Sequence, residues 1–226
     1  PCFFYLFSLY YVSEFRGPKT SHSCFFGPEN AVKHALRFCP RKSKRKEIKT
    51  VMLTVMKFGG SSVADLAHIR NVAQRCIEKQ QAGSQVVVVL SAMGKTTDGL
   101  IATAKQITEK PSRREMDMLL ATGEQVSVSL MAITMIQMGI SAVSLNAWQV
   151  PMHTTSDYQN ARFKRIDTER IRKELDDNKI VIVTGFQGIN KYDDITTLGR
   201  GGSDTTAVAL AAELHADVCE IYTDVD

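Results

Sequence analysis

Apolar runs and helical patterns alternate along the chain from residue 51 onward. Five short runs rich in Val, Ile and other apolar residues predict strands, and the segments between them carry apolar residues at helical spacing. The predicted strands are residues 51–58, 85–90, 140–145, 179–184 and 218–223, and the predicted helices are residues 66–77, 99–109, 115–138, 167–177 and 205–215. This alternation indicates an α/β fold, a three-layer αβα sandwich with a mainly parallel central sheet.

Two segments interrupt the alternation. Residues 147–165 have mixed polarity and contain Pro151, and we expect them to form a hairpin excursion over one end of the sheet. Residues 185–202 are predicted to be a long loop. Because ligands of parallel sheets bind at the carboxyl ends of the strands, motifs that directly follow a strand are the candidates for a functional site.

Residues 1–50 differ in character from the rest of the chain. They hold ten Lys and Arg against three Asp and Glu, whereas the remainder holds 18 against 21. We expect residues 1–50 to be a disordered or non-native leader, with the natural start near Met52, and residues 51–226 to be one domain. A plastid transit peptide and a basic nucleic-acid-binding segment are the alternatives for this leader.

The spacing of the cysteines and the length of the apolar runs indicate where in the cell the protein could be and whether it binds a metal through cysteine. The five cysteines have no metal-ligand spacing, which favours a reducing, cytoplasmic setting and predicts no metal site built from them. No run approaches the roughly 18 to 20 consecutive apolar residues of a membrane span, so we expect neither a membrane nor a nucleic-acid partner for residues 51–226.

A glycine pair follows the first predicted strand, in Lys57-Phe58-Gly59-Gly60-Ser61-Ser62. Paired glycines let backbone N–H groups approach phosphate oxygens closely, and the next helix adds its positive N-terminal end. Lys57 would contribute a point charge. The alternative is an ordinary strand-to-helix turn beside a surface lysine.

A second glycine-rich motif is Gly199-Arg200-Gly201-Gly202-Ser203-Asp204, which precedes an alanine-rich helix. It is not a Rossmann fingerprint, because Asp204 replaces the last glycine and no strand is predicted directly before it. Its backbone and Ser203 could hold an anion, and Arg200 could grip a carboxylate or phosphate. We also expect Ser203 or Asp204 to be the N-cap of the helix.

Two further features carry charge. Gly94-Lys95-Thr96-Thr97 is not a P-loop, because Val89 stands where that loop needs a glycine. Glu124 lies in the otherwise apolar helix 115–138, where burying an unpaired carboxylate is costly. A cationic partner is therefore expected, either an Arg or Lys of the protein or the ammonium group of a substrate. The last five residues, Tyr222 to Asp226, could meet a ribose, a base edge or Mg²⁺.

These loops, in this order, resemble the amino acid kinase superfamily and, within it, the aspartate kinase (aspartokinase) family, bacterial monofunctional type. The resemblance covers about residues 52–226. It rests on residues 57–62, Ser91 to Asp98, Leu120-Ala121-Thr122-Gly123-Glu124, Gly185-Phe186-Gln187-Gly188, Thr197 to Thr206 and Tyr222 to Asp226.

The resemblance implies transfer of the ATP γ-phosphate to the β-carboxylate of L-aspartate, the first step of lysine, threonine and methionine biosynthesis. It implies Lys57 and Asp204 as catalytic residues, and ATP with Mg²⁺ as cofactor. Nucleotide contacts are implied for Lys57, Phe58, Gly59, Gly60, Gly201, Gly202, Thr223 and Asp224, and substrate contacts for Ser91, Thr97, Glu124, Arg200 and Ser203. It also implies a homo-oligomer for the full-length form.

The family pattern continues beyond Asp226 with a second catalytic lysine and regulatory ACT domains. We therefore expect the chain to be cut within the nucleotide site and to be inactive or nearly so as it stands. Two alternatives stay open: a sister kinase acting on glutamate, acetylglutamate or a nucleotide, and a non-catalytic fragment or regulatory subunit that only binds a ligand.

Overall fold

The computed structural model describes residues 7–8 and 51–223. The described residues belong to one compact unit, and residues 9–50 and 224–226 lie outside them. The prediction of a leader over residues 1–50 therefore falls outside the described residues, except at Phe7 and Ser8. These two residues form a short strand, β1 (Phe7–Ser8), that pairs antiparallel with the last strand of the sheet.

The main sheet has six strands in the order β1-β10-β2-β3-β7-β4. All its pairings are parallel except that of β1. The remaining strands are β2 (Leu53–Phe58), β3 (Gln85–Leu90), β4 (Ala142–Leu145), β7 (Ile180–Thr184) and β10 (Val218–Tyr222). The mainly parallel sheet predicted from the apolar runs is confirmed, and its runs are apolar on both sides because helices cover both faces.

Five helices are present among the described residues: α1 (Leu66–Gln81), α2 (Thr96–Ile107), α3 (Arg113–Gln137), α4 (Glu169–Asp176) and α5 (Gly202–Glu213). The buried faces of α1 and α3 form one core with Met56, Phe58 and the side chains of β3 and β7 that point the same way. On the other face, α4 and α5 form a second core with Leu53 and Val55. The three-layer sandwich is therefore confirmed.

The segments predicted as irregular contain a second, four-stranded sheet in the order β6-β5-β8-β9. Its strands are β5 (Met152–Thr154), β6 (Phe163–Ile166), β8 (Gln187–Ile189) and β9 (Ile195–Thr197). The antiparallel β5–β6 pair confirms the expected hairpin excursion. The prediction that residues 185–202 form one long loop was wrong, because β8 and β9 pair there and β8 also joins β5.

Four of the five predicted helix starts differ by two or three residues: α2 begins at Thr96 rather than residue 99 and α3 at Arg113 rather than residue 115, and α4 and α5 differ as follows. Helix α4 begins at Glu169 after Thr168, although Asp167 does accept a hydrogen bond from the N–H of Glu169 at 3.0 Å. Helix α5 begins at Gly202, and its N-cap is Gly201 rather than Ser203 or Asp204. Gly201 has a φ of 72°, a left-handed conformation that glycine adopts without strain. The chain therefore turns into the helix at Gly201, and the side chains of Ser203 and Asp204 are not needed to cap it.

Helix α3 is long and apolar enough to cross a membrane by length and composition alone, although it is not an unbroken run of apolar residues. Half of its most apolar 18-residue window is buried inside the protein. Its buried side chains include Asp117 and Glu124. These observations are typical of a core helix.

Candidate active site

Three neighbouring parallel strands end at the same edge of the main sheet, and the loops that follow them meet there. Gly59 and Gly60 follow β2, Ser91 follows β3, and Gly185 follows β7. Backbone hydrogen bonds join these loops: the N–H of Gly94 donates to the carbonyl of Gly60 at 2.9 Å, and the N–H of Gly185 donates to that of Leu90 at 2.9 Å. The sheet edge therefore carries a site built from separate parts of the sequence.

A cavity of about 310 Å³ lies at this edge. Ten residues predicted for the site line it: Lys57, Gly59, Gly60, Ser91, Thr97, Glu124, Gly201, Gly202, Ser203 and Asp204. The structure thus brings together the two glycine motifs and the glutamate that the sequence separates by up to 147 positions, from residue 57 to residue 204.

Lys57 and Asp204 form an ion pair within the lining of the cavity. The Nζ atom of Lys57 lies 2.6 Å from Oδ1 of Asp204, and the side chains are 8% and 45% exposed. Their contact is an ion pair whose geometry does not meet that of an aligned hydrogen bond. Asp204 thereby fixes the position of the lysine ammonium in the cavity lining, while its own side chain stays partly exposed to solvent.

Glu124 is the buried carboxylate of the cavity, with 3% exposure. Its Oε1 accepts a hydrogen bond from the N–H of Ala92 at 3.1 Å, and its Oε2 is buried without a partner. Burial raises the pKa of Glu124 to about 7, opposed by backbone hydrogen bonds. No Lys or Arg of residues 51–223 forms an ion pair with Glu124, so these residues do not supply the cationic partner expected from the sequence. Oε2 of Glu124 is therefore available to a ligand.

The close approach of α3 to the loop after β3 sets the position of Glu124. A Cβ on Gly123 would lie 2.8 Å from the Cβ of Ala92, closer than real side chains pack. The hydroxyl of Ser127 adds a hydrogen bond of 2.8 Å to the carbonyl of Ser91. A glycine before the glutamate is therefore needed to bring its carboxylate within reach of the Ala92 N–H.

The N-terminus of α5 forms another part of the cavity wall. Gly202, Ser203 and Asp204 of its first turn all line the cavity. The N–H groups of Gly202 and Asp204 donate to the carbonyls of Gly199 and Gly201 at 3.1 Å each. The helix dipole makes this end positive, and that potential is what the wall offers an anion. This wall, together with the ammonium of Lys57, makes the cavity a binding site for anions such as phosphate.

Three predicted site residues do not line the cavity. The ring of Phe58 is 1% exposed and stacks on Tyr222 with 4.5 Å between ring centroids, so Phe58 could meet a nucleotide only through its backbone. Arg200 and Thr223 are exposed and do not line the cavity. Asp224 lies outside the described residues.

The sequence reading assigned no site role to several residues that matter here. Ala92, Gly94, Phe186 and Gly199 also line the cavity. Asp117 of α3 is fully buried and accepts hydrogen bonds from Thr197 and Gln159. Burial raises the pKa of Asp117, while these hydrogen bonds oppose the rise. Its position seven residues before Glu124, on the same face of one helix, was a signal in the sequence.

Comparisons with known proteins show the family of the chain. The model of the amino acid kinase family matches residues 52–226. An aspartokinase of Geobacillus stearothermophilus is 59% identical over 173 residues, which are 76% of this chain and 42% of the relative. The chain thus spans less than half the length of that relative.

Two solved structures are similar in fold. An aspartate kinase from Synechocystis has 49% sequence identity and a TM-score of 0.67 over 76% of this chain and 28% of its own. Aspartokinase III of E. coli, in complex with aspartate and ADP, has 25% identity and a TM-score of 0.64 over 73% of this chain and 47% of its own. On the family match, the glycine loops and the sheet edge they occupy, the chain belongs to the amino acid kinase family.

Proposed function

We propose that the protein is an aspartate kinase, which transfers the γ-phosphoryl group of ATP to the β-carboxylate of L-aspartate and gives 4-phospho-L-aspartate and ADP. One observation carries the proposal. One cavity is lined both by a buried, half-unsatisfied carboxylate, Glu124, and by an anion-binding wall made by Lys57 and the start of α5. This arrangement suits an acceptor that has both an ammonium group and carboxylates, together with a phosphate donor.

The ammonium group of aspartate would bind Glu124. Oε2 has no hydrogen-bond partner in the protein, and a cation there supplies both a donor and an opposite charge. The same contact favours the ionised carboxylate, whose pKa burial holds at about 7 in the empty cavity. Binding is therefore selective for amines, because an acceptor without an ammonium would leave Oε2 buried and unpaired.

The phosphates would lie along the glycine loops. A Cβ on Gly60 would stand 2.7 Å from the carbonyl of Ala92, and the absence of a side chain lets these two loops close on each other beside the cavity. The backbone of Gly59, Gly60 and Gly201 would then present donors to phosphate oxygens, and the N-terminal end of α5, which begins at Gly202, would present positive potential.

Chemistry in this site would depend on positioned charge. The acceptor carboxylate has an ordinary pKa near 4, so it is ionised at pH 7 and needs no general base. Its oxygen forms a bond to the γ-phosphorus as the bond from that phosphorus to the bridging oxygen of ADP breaks. Lys57 neutralises negative charge on the transferred group, and Asp204 keeps the lysine in place.

Mg²⁺ is part of this proposal as the usual companion of ATP. Within residues 51–223 no cluster of three His, Cys, Asp or Glu side chains could hold a metal ion. Mg²⁺ commonly takes most of its ligands from phosphates and waters and needs one or two carboxylates. The half-exposed carboxylate of Asp204 fits that demand, and the ion would supply further neutralisation of phosphate charge.

The relatives support the choice of acceptor. The Geobacillus relative bears the name aspartokinase, and the E. coli structure contains aspartate and ADP. Entry into lysine, threonine and methionine synthesis, a cytoplasmic location and assembly into a homo-oligomer follow from the same proposal and stay predictions.

Phosphate transfer to a panel of acceptors tests the proposal. The protein is expressed from the complete reading frame that contains residues 1–226, and ADP release is followed with aspartate, glutamate, acetylglutamate or a nucleoside monophosphate as acceptor. We expect turnover with aspartate. Turnover with another acceptor in its place would favour the sister kinases, and ligand binding without any turnover would favour a regulatory subunit.

A pair of variants tests the role of the carboxylate. Glu124→Gln keeps the shape and an acceptor for the Ala92 N–H, but it removes the charge that would bind ammonium. We expect loss of aspartate turnover while nucleotide binding stays intact. Glu109→Gln makes the same chemical change at an exposed site and should behave as the parent protein.

A further inference from the structure

Phe186 lines the cavity in a backbone conformation that phenylalanine rarely adopts. Its φ is 67°, in the left-handed region, and the N–H of Gln187 donates to the carbonyl of Gly185 at 2.8 Å across it. These three residues form a γ-turn with a positive φ at its centre, which is a rare and strained form. A glycine would adopt this φ without strain, and strained bulky residues cluster at functional sites.

Hydrogen bonds from three parts of the fold hold this turn in place. The N–H of Phe186 donates to the hydroxyl of Thr206 on α5 at 3.1 Å, and its carbonyl accepts from the N–H of Leu198, after β9, at 2.9 Å. The side chain of Gln187 donates to the carbonyl of Ala121 on α3 at 2.6 Å. The surrounding structure therefore fixes the point from which the ring of Phe186 extends.

The order of the strands separates Phe186 from the glycine pair after β2. Strands β2, β3 and β7 are neighbours in that order, and Lys57 belongs to the first of them whereas Phe186 follows the third. Adjacent strands lie about 4.8 Å apart, so about 10 Å separates the ends of β2 and β7. Glu124 is hydrogen-bonded to Ala92, after the middle strand. Phe186 thus lies on the Glu124 side of the cavity, away from the glycine pair.

The ring of Phe186 is the large apolar side chain in the lining that residues 51–223 provide, where Ala92 supplies a single methyl group. A Cβ on Gly202 would lie 2.8 Å from Cδ2 of the ring, so the ring packs directly on that glycine. The ring therefore fills space between the start of α5 and the part of the cavity that contains Glu124.

We propose that Phe186 determines the length of the acceptor: its ring leaves room for aspartate and excludes glutamate, which is one methylene longer. This inference rests on the proposed function. Glu124 fixes the ammonium of the acceptor, and the reacting carboxylate must reach a phosphorus near Lys57. With both ends fixed, an additional methylene has to bow toward the lining, where the ring stands. Packing of this kind discriminates one methylene by about 10- to 200-fold in kcat/KM.

Two variants of the protein from its complete reading frame test this role. Phe186→Leu shortens the side chain, and Phe186→Gly removes it and adopts a φ of 67° without strain, so the second keeps the turn even if the first does not fold. The hydrogen bonds of the turn use the backbone of residue 186 and the side chains of Gln187 and Thr206, so neither variant removes one.

The measured quantity is the ratio of kcat/KM for aspartate to kcat/KM for glutamate. We expect this ratio to fall about tenfold or more in Phe186→Gly and by a smaller factor in Phe186→Leu. KM for ATP should stay within about twofold, because the glycine pair after β2 is unchanged. Phe163→Leu is the matched control: it makes the same change in β6, in the core formed with α4 and α5, and should leave the ratio unchanged.

The outcomes separate the two proposals. A parent protein that does not phosphorylate aspartate overturns the proposed function itself. A parent that does so, with the same ratio in both Phe186 variants as in Phe163→Leu, overturns the role of Phe186, as does a parent that uses both acceptors equally well. A proportional loss of turnover with both acceptors, or an equal rise in KM for ATP and for aspartate, would show a general effect on the cavity and would also overturn it.

Discussion

Replacing Glu124 with glutamine should make the protein more stable at alkaline pH. Burial raises the pKa of this carboxyl from 4.5 to about 7. The side chain is 3% exposed, so solvent screens it little. At about 1.4 kcal/mol for each pH unit, the difference corresponds to about 3 kcal/mol of free energy. Ionised Glu124 thus opposes folding in the empty cavity by that order of magnitude.

The sign of the pH dependence follows from linkage. Because the pKa of Glu124 is higher in the folded than in the unfolded chain, the folded state holds its proton more tightly. Below pH 4.5 the carboxyl is neutral in both states. As the pH rises from 4.5 through about 7, the free energy of unfolding falls, and above that range the loss is complete. The glutamine amide does not titrate in this pH range, so the free energy of unfolding of the variant does not fall for this reason.

Urea unfolding at pH 5 and pH 8.5 measures the effect. We expect the stability of Glu124→Gln relative to the parent to increase by about 2 to 3 kcal/mol between the two pH values. The difference in free energy of unfolding between variant and parent is compared at the two pH values, so any effect of the amide that does not depend on pH cancels. Glu109→Gln, an exposed change of the same kind, should show no such increase. If Glu124→Gln has the same relative stability at both pH values, the carboxylate carries no burial penalty and the reasoning fails.

Three further outcomes follow from the same site. KM for aspartate should be about tenfold higher at pH 6 than at pH 8, because roughly a tenth of Glu124 is ionised one unit below a pKa of about 7, and a profile of initial rates against pH checks this. Lys57→Met should lower kcat about 10²- to 10³-fold with little change in KM for aspartate, since it removes the ammonium paired with Asp204. A coupled assay of ADP release measures both constants, and a rise in KM for aspartate at unchanged kcat would contradict this role. Gly185→Ala should destabilise the protein by about 1 to 3 kcal/mol in urea unfolding, because its Cβ would lie 2.5 Å from Oγ of Ser203, and an unchanged midpoint would disprove that contact.

The parallel sheet and its site edge could be predicted because both depend on local signals. Four consecutive valines in β3 are buried completely, as a strand covered on both faces requires. The glycine pairs stand directly after β2 and before α5, where backbone conformation and close approach demand them. Each of these features can be read from neighbouring residues without knowledge of the fold.

The second sheet could not be predicted for the opposite reason. Strands β8 and β9 have three residues each, and β8 pairs with β5, which lies more than 30 residues earlier. Such short strands carry no hydrophobic period, and distant pairing decides their structure. The prediction of Ser203 or Asp204 as N-cap failed similarly, because Asp204 pairs with Lys57, a partner from another strand.

The alternation of β2 has a consequence for folding. Phe58 points into the core shared with α1 and α3, whereas Lys57, its neighbour, points to the other face and reaches Asp204 on α5. A slip of one residue between β2 and β3 would exchange these two side chains. It would bury an ammonium among apolar residues and place an aromatic ring in the cavity. Misregistered chains would thus lose their core and their active site together, so the strand pairing that gives stability also guarantees that every folded molecule carries its lysine in place.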